Sequence, residues 1–113
     1  YGDPAFDLAF CLNHLLLKCV WHPAVRGEYL NCFDALANAY LDNATWEEPH
    51  AVEGRTAALL PALLLARIDG KSPVEYLTKA ADKTFVRSHA SRLLQRTPET
   101  LSEITKAWNA ALA

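Results

Sequence analysis

Apolar residues dominate the start of the chain. From Leu8 to Leu17 only Asn13 and His14 are polar, and the pattern predicts a helix over Leu8–Trp21. Asp3 has the side chain of an N-cap and Pro4 falls at the first helical position, where a missing N–H leaves nothing unsatisfied. A helix apolar on nearly every side is expected to be surrounded by other chain. Its polar exceptions Asp7, Cys11, His14 and Lys18 are spaced four, three and four apart and form one stripe. Such a stripe is either a narrow solvated strip or one wall of a cleft.

His22-Pro23 and Gly27 break this helix. A second helix is predicted over Arg26–Asn43, with Tyr29, Cys32, Phe33, Leu36, Ala37, Tyr40 and Leu41 as a core-facing stripe. A third begins at Pro49, with Glu47 and Glu48 suited to its positive end. It is wholly apolar from Ala57 to Ala66, contains Pro61 as an expected kink, and stops at Gly70. Ser72-Pro73-Val74-Glu75 reads as a capping box that opens a short helix through Leu77. Another helix spans Ala80–Gln95, with Phe85, Val86, Ala90, Leu93 and Leu94 inward. Thr97-Pro98 is expected to cap the last, in which Leu101, Ile104, Trp108, Ala111 and Leu112 share a face. No stretch sustains the alternation of a strand. The expected fold is therefore all-α: one compact domain over 1–113, a bundle of about six helices.

Composition narrows the picture. A hydrophobic content of 51% excludes disorder, and a formal charge of −2 offers no general attraction to nucleic acid or to a membrane surface. No apolar run approaches the roughly 20 residues a bilayer requires. Asp3 and Asp7 occupy the place of a basic leader region, so no signal peptide is expected. Three cysteines, Cys11, Cys19 and Cys32, make no disulfide framework and read as reduced, buried residues of a cytoplasmic protein. The sequence contains no methionine, which reads as a piece of a longer chain.

Gly2-Asp3-Pro4-Ala5-Phe6-Asp7-Leu8-Ala9 resembles a segment of the aminoglycoside phosphotransferase-like kinases, which include the choline and fructosamine kinases. In that family a Gly-Asp-Pro…Asp-Leu-Ala run follows shortly after the metal-binding Asp of the catalytic lobe. The resemblance implies that the chain is the C-terminal helical subdomain of a protein-kinase-like fold. The catalytic His-x-Asp-x-x-x-x-Asn loop and the metal motif would lie upstream in a missing N-terminal part, and neither is in this sequence. ATP and magnesium would serve the full-length protein and a small hydroxyl substrate would be phosphorylated. This segment would hold no cofactor and no catalytic residue. Asp7, with Asp3, would brace the catalytic loop by accepting backbone N–H bonds.

Other candidates come from the residues themselves. Arg67-Ile68-Asp69-Gly70-Lys71-Ser72-Pro73 is polar and follows a buried helix; Asp69 suits a substrate amine or hydroxyl and Lys71 an anionic group. His14 and Lys18 join them if their stripe faces the same cleft. The plainer reading is a solvated turn closed by Gly70 and a capping box. Cys11-x-x-His14 and Cys19-x-x-His22 suggest zinc, but on a continuous helix Cys11 and His22 lie about 16 Å apart along the axis, too far for one tetrahedral ion. The basic residues between Lys79 and Arg96 lack an aromatic platform and diverge around their helix, so they read as a solvated face. Ser88 and Ser91 near His89 make no triad, since no nucleophile elbow accompanies them. The alternative to a kinase segment is a stand-alone helical interaction module. On the kinase-segment reading, two apolar helices exceed what the others can cover, and self-association is expected through the face carrying Phe6, Phe10 and the third helix.

Overall fold

The structure is a computed structural model that describes residues 3–44, 47–70 and 75–113. The described residues form five α-helices: α1 Pro4–Trp21, α2 Arg26–Asp42, α3 Pro49–Asp69, α4 Ala80–Gln95 and α5 Leu101–Leu112. A 3-10 turn, Pro23–Val25, joins α1 to α2, and no strand occurs among the described residues. The radius of gyration is 13.4 Å, against about 13 Å for a compact chain of this length.

Helix α1 is the central element. Asp3 caps it by accepting the Ala5 N–H at 3.0 Å, and the helix runs without a break to Trp21. Helix α2 returns alongside it, so that the Tyr40 hydroxyl donates to Pro4 O at 3.2 Å. Helix α3 runs in the same direction as α1: Arg55 near its start meets Asp3, and Arg67 near its end lies over Phe10. Helix α5 closes the core, its Trp108 Nε1 donating to Leu16 O at 2.9 Å. Leu8, Leu12, Leu16, Phe33, Leu60, Leu64, Val86, Ile104 and Trp108 meet in the centre, each excluded from solvent.

Five helices stand where about six were expected, because the predicted helix through Leu77 is not formed in its described part. Glu75 and Tyr76 form a turn and Leu77 to Lys79 are non-helical; residues 72–74 of the expected capping box lie outside the described residues. Leu77 is buried and Tyr76 half-buried against the core, and so short a stretch does not offset the entropy of nucleating a separate helix. The last helix also starts later than Thr97-Pro98 suggested. Its N-cap is Thr100, whose Oγ1 accepts the Glu103 N–H at 3.3 Å. The Leu101 N–H donates to the Glu53 carboxylate at 3.0 Å. A side chain of α3 thus satisfies a donor that any helix start leaves free.

The predicted stripes are too wide in two places. In α2 only Leu30, Phe33 and Ala37 are buried, while Cys32 and Leu36 are exposed. In α4 Leu94 is exposed and the seam is Val86 and Ala90. Each of these helices lies at the periphery and needs only a narrow apolar seam. Of the three cysteines, Cys19 alone is buried; Cys11 and Cys32 are exposed on α1 and α2. Helix α3 passes through Pro61 as one element. It ends at Gly70, as expected. Gly70 is extended there, and its N–H donates to Ala66 O at 2.8 Å. A Cβ at this position would collide with the Ala66 carbonyl, so close approach, not a left-handed conformation, requires the glycine.

No single helix among the described residues is long and apolar enough to cross a membrane.

Candidate functional site

The candidate site is the outer face of α1 and the ends of α3 beside it. Phe6 and Phe10 remain 45% and 41% exposed. Their rings stack at 6.3 Å, and the His14 ring meets Phe10 edge-on at 5.4 Å. The three are four residues apart and form a ladder along one side of the helix. The Arg67 guanidinium lies 6.0 Å from the centre of the Phe10 ring, the limit of a cation–π contact. Partial burial depresses the pKa of His14, and the nearby Arg67 and Lys18 charges act in the same direction. A neutral imidazole follows at neutral pH. Lys18 is half-buried in the last turn, where the helix dipole favours a cation.

Asp7 is exposed on the same helix. No hydrogen bond or ion pair engages its carboxylate among the described residues. Tyr40 of α2 is its neighbour: burial, then the Asp7 and Asp3 charges, raise the tyrosine's pKa.

Asp3 has a different environment. Arg55 donates to both its oxygens, at 2.8 and 2.9 Å, and to both oxygens of Glu47, at 2.6 and 2.7 Å. The Arg55 hydrogen bond is the main cause that lowers the pKa of each carboxylate, and the Ala5 N–H adds to it at Asp3. Beside them, Glu48 caps α3 by accepting the Ala51 N–H at 3.0 Å. One guanidinium therefore ties the starts of α1 and α3 together. Arg55 lies 52 positions from Asp3, and nothing local in the sequence marks it as that partner.

Asp69 pairs with Arg87 of α4, accepting from Nε at 2.8 and 3.0 Å. Arg67, two residues earlier, faces α1. Positions two apart on a helix differ by about 200° around the axis. His14 and Asp69 therefore lie on different sides of the end of α3, and one cleft containing both is not formed by the described residues. Lys71 lies outside them.

A polar cavity of about 230 Å³, which sequence reasoning missed, opens at the end of α1. Trp21, His22, Tyr76, Thr78, Lys79 and Asp82 line it, with Trp21 stacked 4.0 Å from His22 and 4.9 Å from Tyr76. Only the aromatic residues flanking the break after α1 could have signalled it. For the Cys-x-x-His pairs, the unbroken α1 keeps Cys11 and His22 apart. No group of three or more His, Cys, Asp or Glu among the described residues could hold a metal ion.

Comparison of the chain with protein families, curated proteins and solved structures gives no match.

Proposed function

We propose that the chain is the C-terminal, substrate-side portion of an ATP-dependent small-molecule phosphotransferase of the aminoglycoside phosphotransferase-like type. The reading rests on the Gly2–Ala9 resemblance and on one observation. On a helix otherwise largely buried in the core, Asp7 presents an exposed carboxylate that no hydrogen bond or ion pair among the described residues engages, beside the exposed Phe6–Phe10 pair. That is the arrangement needed to receive backbone N–H groups of a further segment packed over Phe6 and Phe10. In this reading Asp7 braces a catalytic loop supplied by the upstream part of the protein. ATP and magnesium are held there, and transfer of the γ-phosphoryl to a small hydroxyl substrate is chiefly positioning and charge neutralisation. Asp3, engaged by Arg55, supports the same junction by fixing the start of α1 against α3. His14 and Lys18 on α1 are the proposed substrate-side residues; Asp69, held by Arg87 on another side of α3, is not among them.

The test compares two contexts. In the chain alone Asp7→Ala shifts the melting temperature little, because no hydrogen bond or ion pair among the described residues engages the carboxylate and only the dipole of α1 favours it. In the full-length protein the same substitution lowers both melting temperature and turnover, since buried donors lose their acceptor at about 1–3 kcal/mol. Unchanged stability and turnover in the full-length variant would remove the bracing role.

A second reading, a stand-alone helical interaction module, is favoured by the completeness of the core. Trp108, Phe33 and the central leucines are sealed by the described residues, the five helices and Leu77 among them. Mg-ATP phosphotransfer by the full-length protein would decide against it.

A further inference from the structure

A second cavity, of about 370 Å³, opens between α4 and α5. His89, Arg92 and Leu93 of α4 face Ala107, Ala110 and Ala111 of α5 across it, with Trp108 beneath. The aromatic floor is fixed: His89 packs on Phe85 at 4.3 Å, and Phe85 meets Trp108 edge-on at 5.5 Å. The Trp108 N–H is already committed to Leu16 O, so the indole offers the cavity only carbon surface. The volume falls within the about 300–1,000 Å³ usual for small-molecule sites.

Charge identifies the occupant. No acidic side chain among the described residues lines the cavity. The Arg92 guanidinium has no carboxylate partner among the described residues. A guanidinium at the edge of an apolar recess is a fork for a carboxylate. The lining spans His89–Leu93 and Ala107–Ala111, only about 6 Å of helix at 1.5 Å per residue. That is too short for the repeated anchors of a docked helix, but long enough for one flat ring system. We propose that this cavity binds a small aromatic carboxylate, its ring between Leu93, His89 and the alanines and its carboxylate on Arg92. The site is separate from the outer face of α1 and does not rest on the kinase reading.

Isothermal titration with three probes of one shape tests it: 2-naphthoate, the neutral 2-naphthamide and the cationic 2-naphthylmethylammonium. Methyl and indole NMR shifts locate the binding. The expected result is saturable binding of 2-naphthoate with shifts at Ala107, Ala110, Ala111 and Trp108. The amide binds at least tenfold more weakly, and the ammonium does not bind. Arg92→Gln brings the acid down to the affinity of the amide without altering the melting temperature, while Ala110→Leu fills the recess and blocks both. The proposal is overturned if acid and amide bind equally, or if Arg92→Gln leaves acid binding intact. Shifts mapping to Phe6 and Phe10 instead, or no saturation by any probe, would overturn it equally.

Discussion

At the scale of single residues, Arg55 decides most. It is the shared donor to Asp3 and Glu47, and it stays charged throughout the accessible pH range. Any pH dependence of the cluster therefore belongs to the carboxylates. Their pKa values are lowered in the folded chain, so the stabilisation is fully present above the ordinary values of 3.8 and 4.5. It is lost as pH falls through the lowered folded values. Arg55→Ala is accordingly expected to lower the melting temperature at pH 7 by an amount that shrinks as pH falls below 4. High salt shrinks it too, because the three groups are solvated. Thermal melts of both proteins from pH 7 to pH 2.5 check this; a gap independent of pH would mean that Arg55 acts only through packing. His14 acts in the same sense. Its lowered pKa means that the unfolded chain takes up a proton first as pH falls below 6.5, which adds to acid destabilisation.

At the scale of helices, the ends carry the information that periodicity lacks. In the sequence, Thr97-Pro98 reads as the start signal for α5. The structure selects Thr100, whose hydroxyl accepts the Glu103 N–H, while the Glu53 carboxylate takes the Leu101 N–H. Thr100→Ala should destabilise the chain by about 1 kcal/mol, the usual worth of an N-cap oxygen. Thr97→Ala, at an exposed position, should stay within about 0.5 kcal/mol of the parent. Urea denaturation of the two variants measures both. Equal losses would restore Thr97 as part of the cap. The helix expected through Leu77 marks the opposite error, a cap-like motif with too short a stretch behind it to nucleate a helix.

At the scale of the molecule, the outer face of α1 is unfinished. Phe6 at 45% and Phe10 at 41% exposure lie next to each other. Helix α3, whose Arg67 lies over Phe10, exposes Ala58, Ala62 and Ala66 and leaves Leu59 and Leu63 only half-buried. Contiguous apolar surface of this kind drives association. The chain alone is expected to self-associate at micromolar concentration through this face, and a two-fold dimer is the simplest closed form. Sedimentation equilibrium should show mass above 12.5 kDa for the parent. The double variant Phe6→Ser, Phe10→Ser should return the monomer with its helical content intact. A parent that is monomeric at high concentration and binds no apolar dye would favour the self-sufficient module over the kinase segment.

The sequence by itself determined that this protein is helical and where most helices begin. Asp3-Pro4 and Glu48-Pro49 are local chemistry, satisfied within one turn, and so is the stop at Gly70. It also determined the central position of α1, because a helix with so few polar residues has nowhere else to go. The structure alone decided which sides stay open. Leu36 and Leu94 obey helical spacing yet are exposed, since exposure depends on how many neighbours a helix acquires and not on its own pattern. It alone decided the pairings as well. Arg55 with Asp3 joins residues 52 positions apart, and Arg87 turns Asp69 away from His14. The cavity beside Arg92 exists only because two distant helices leave a gap over Trp108. Local signals reach one turn along the chain; which surfaces meet is set by packing the whole of it.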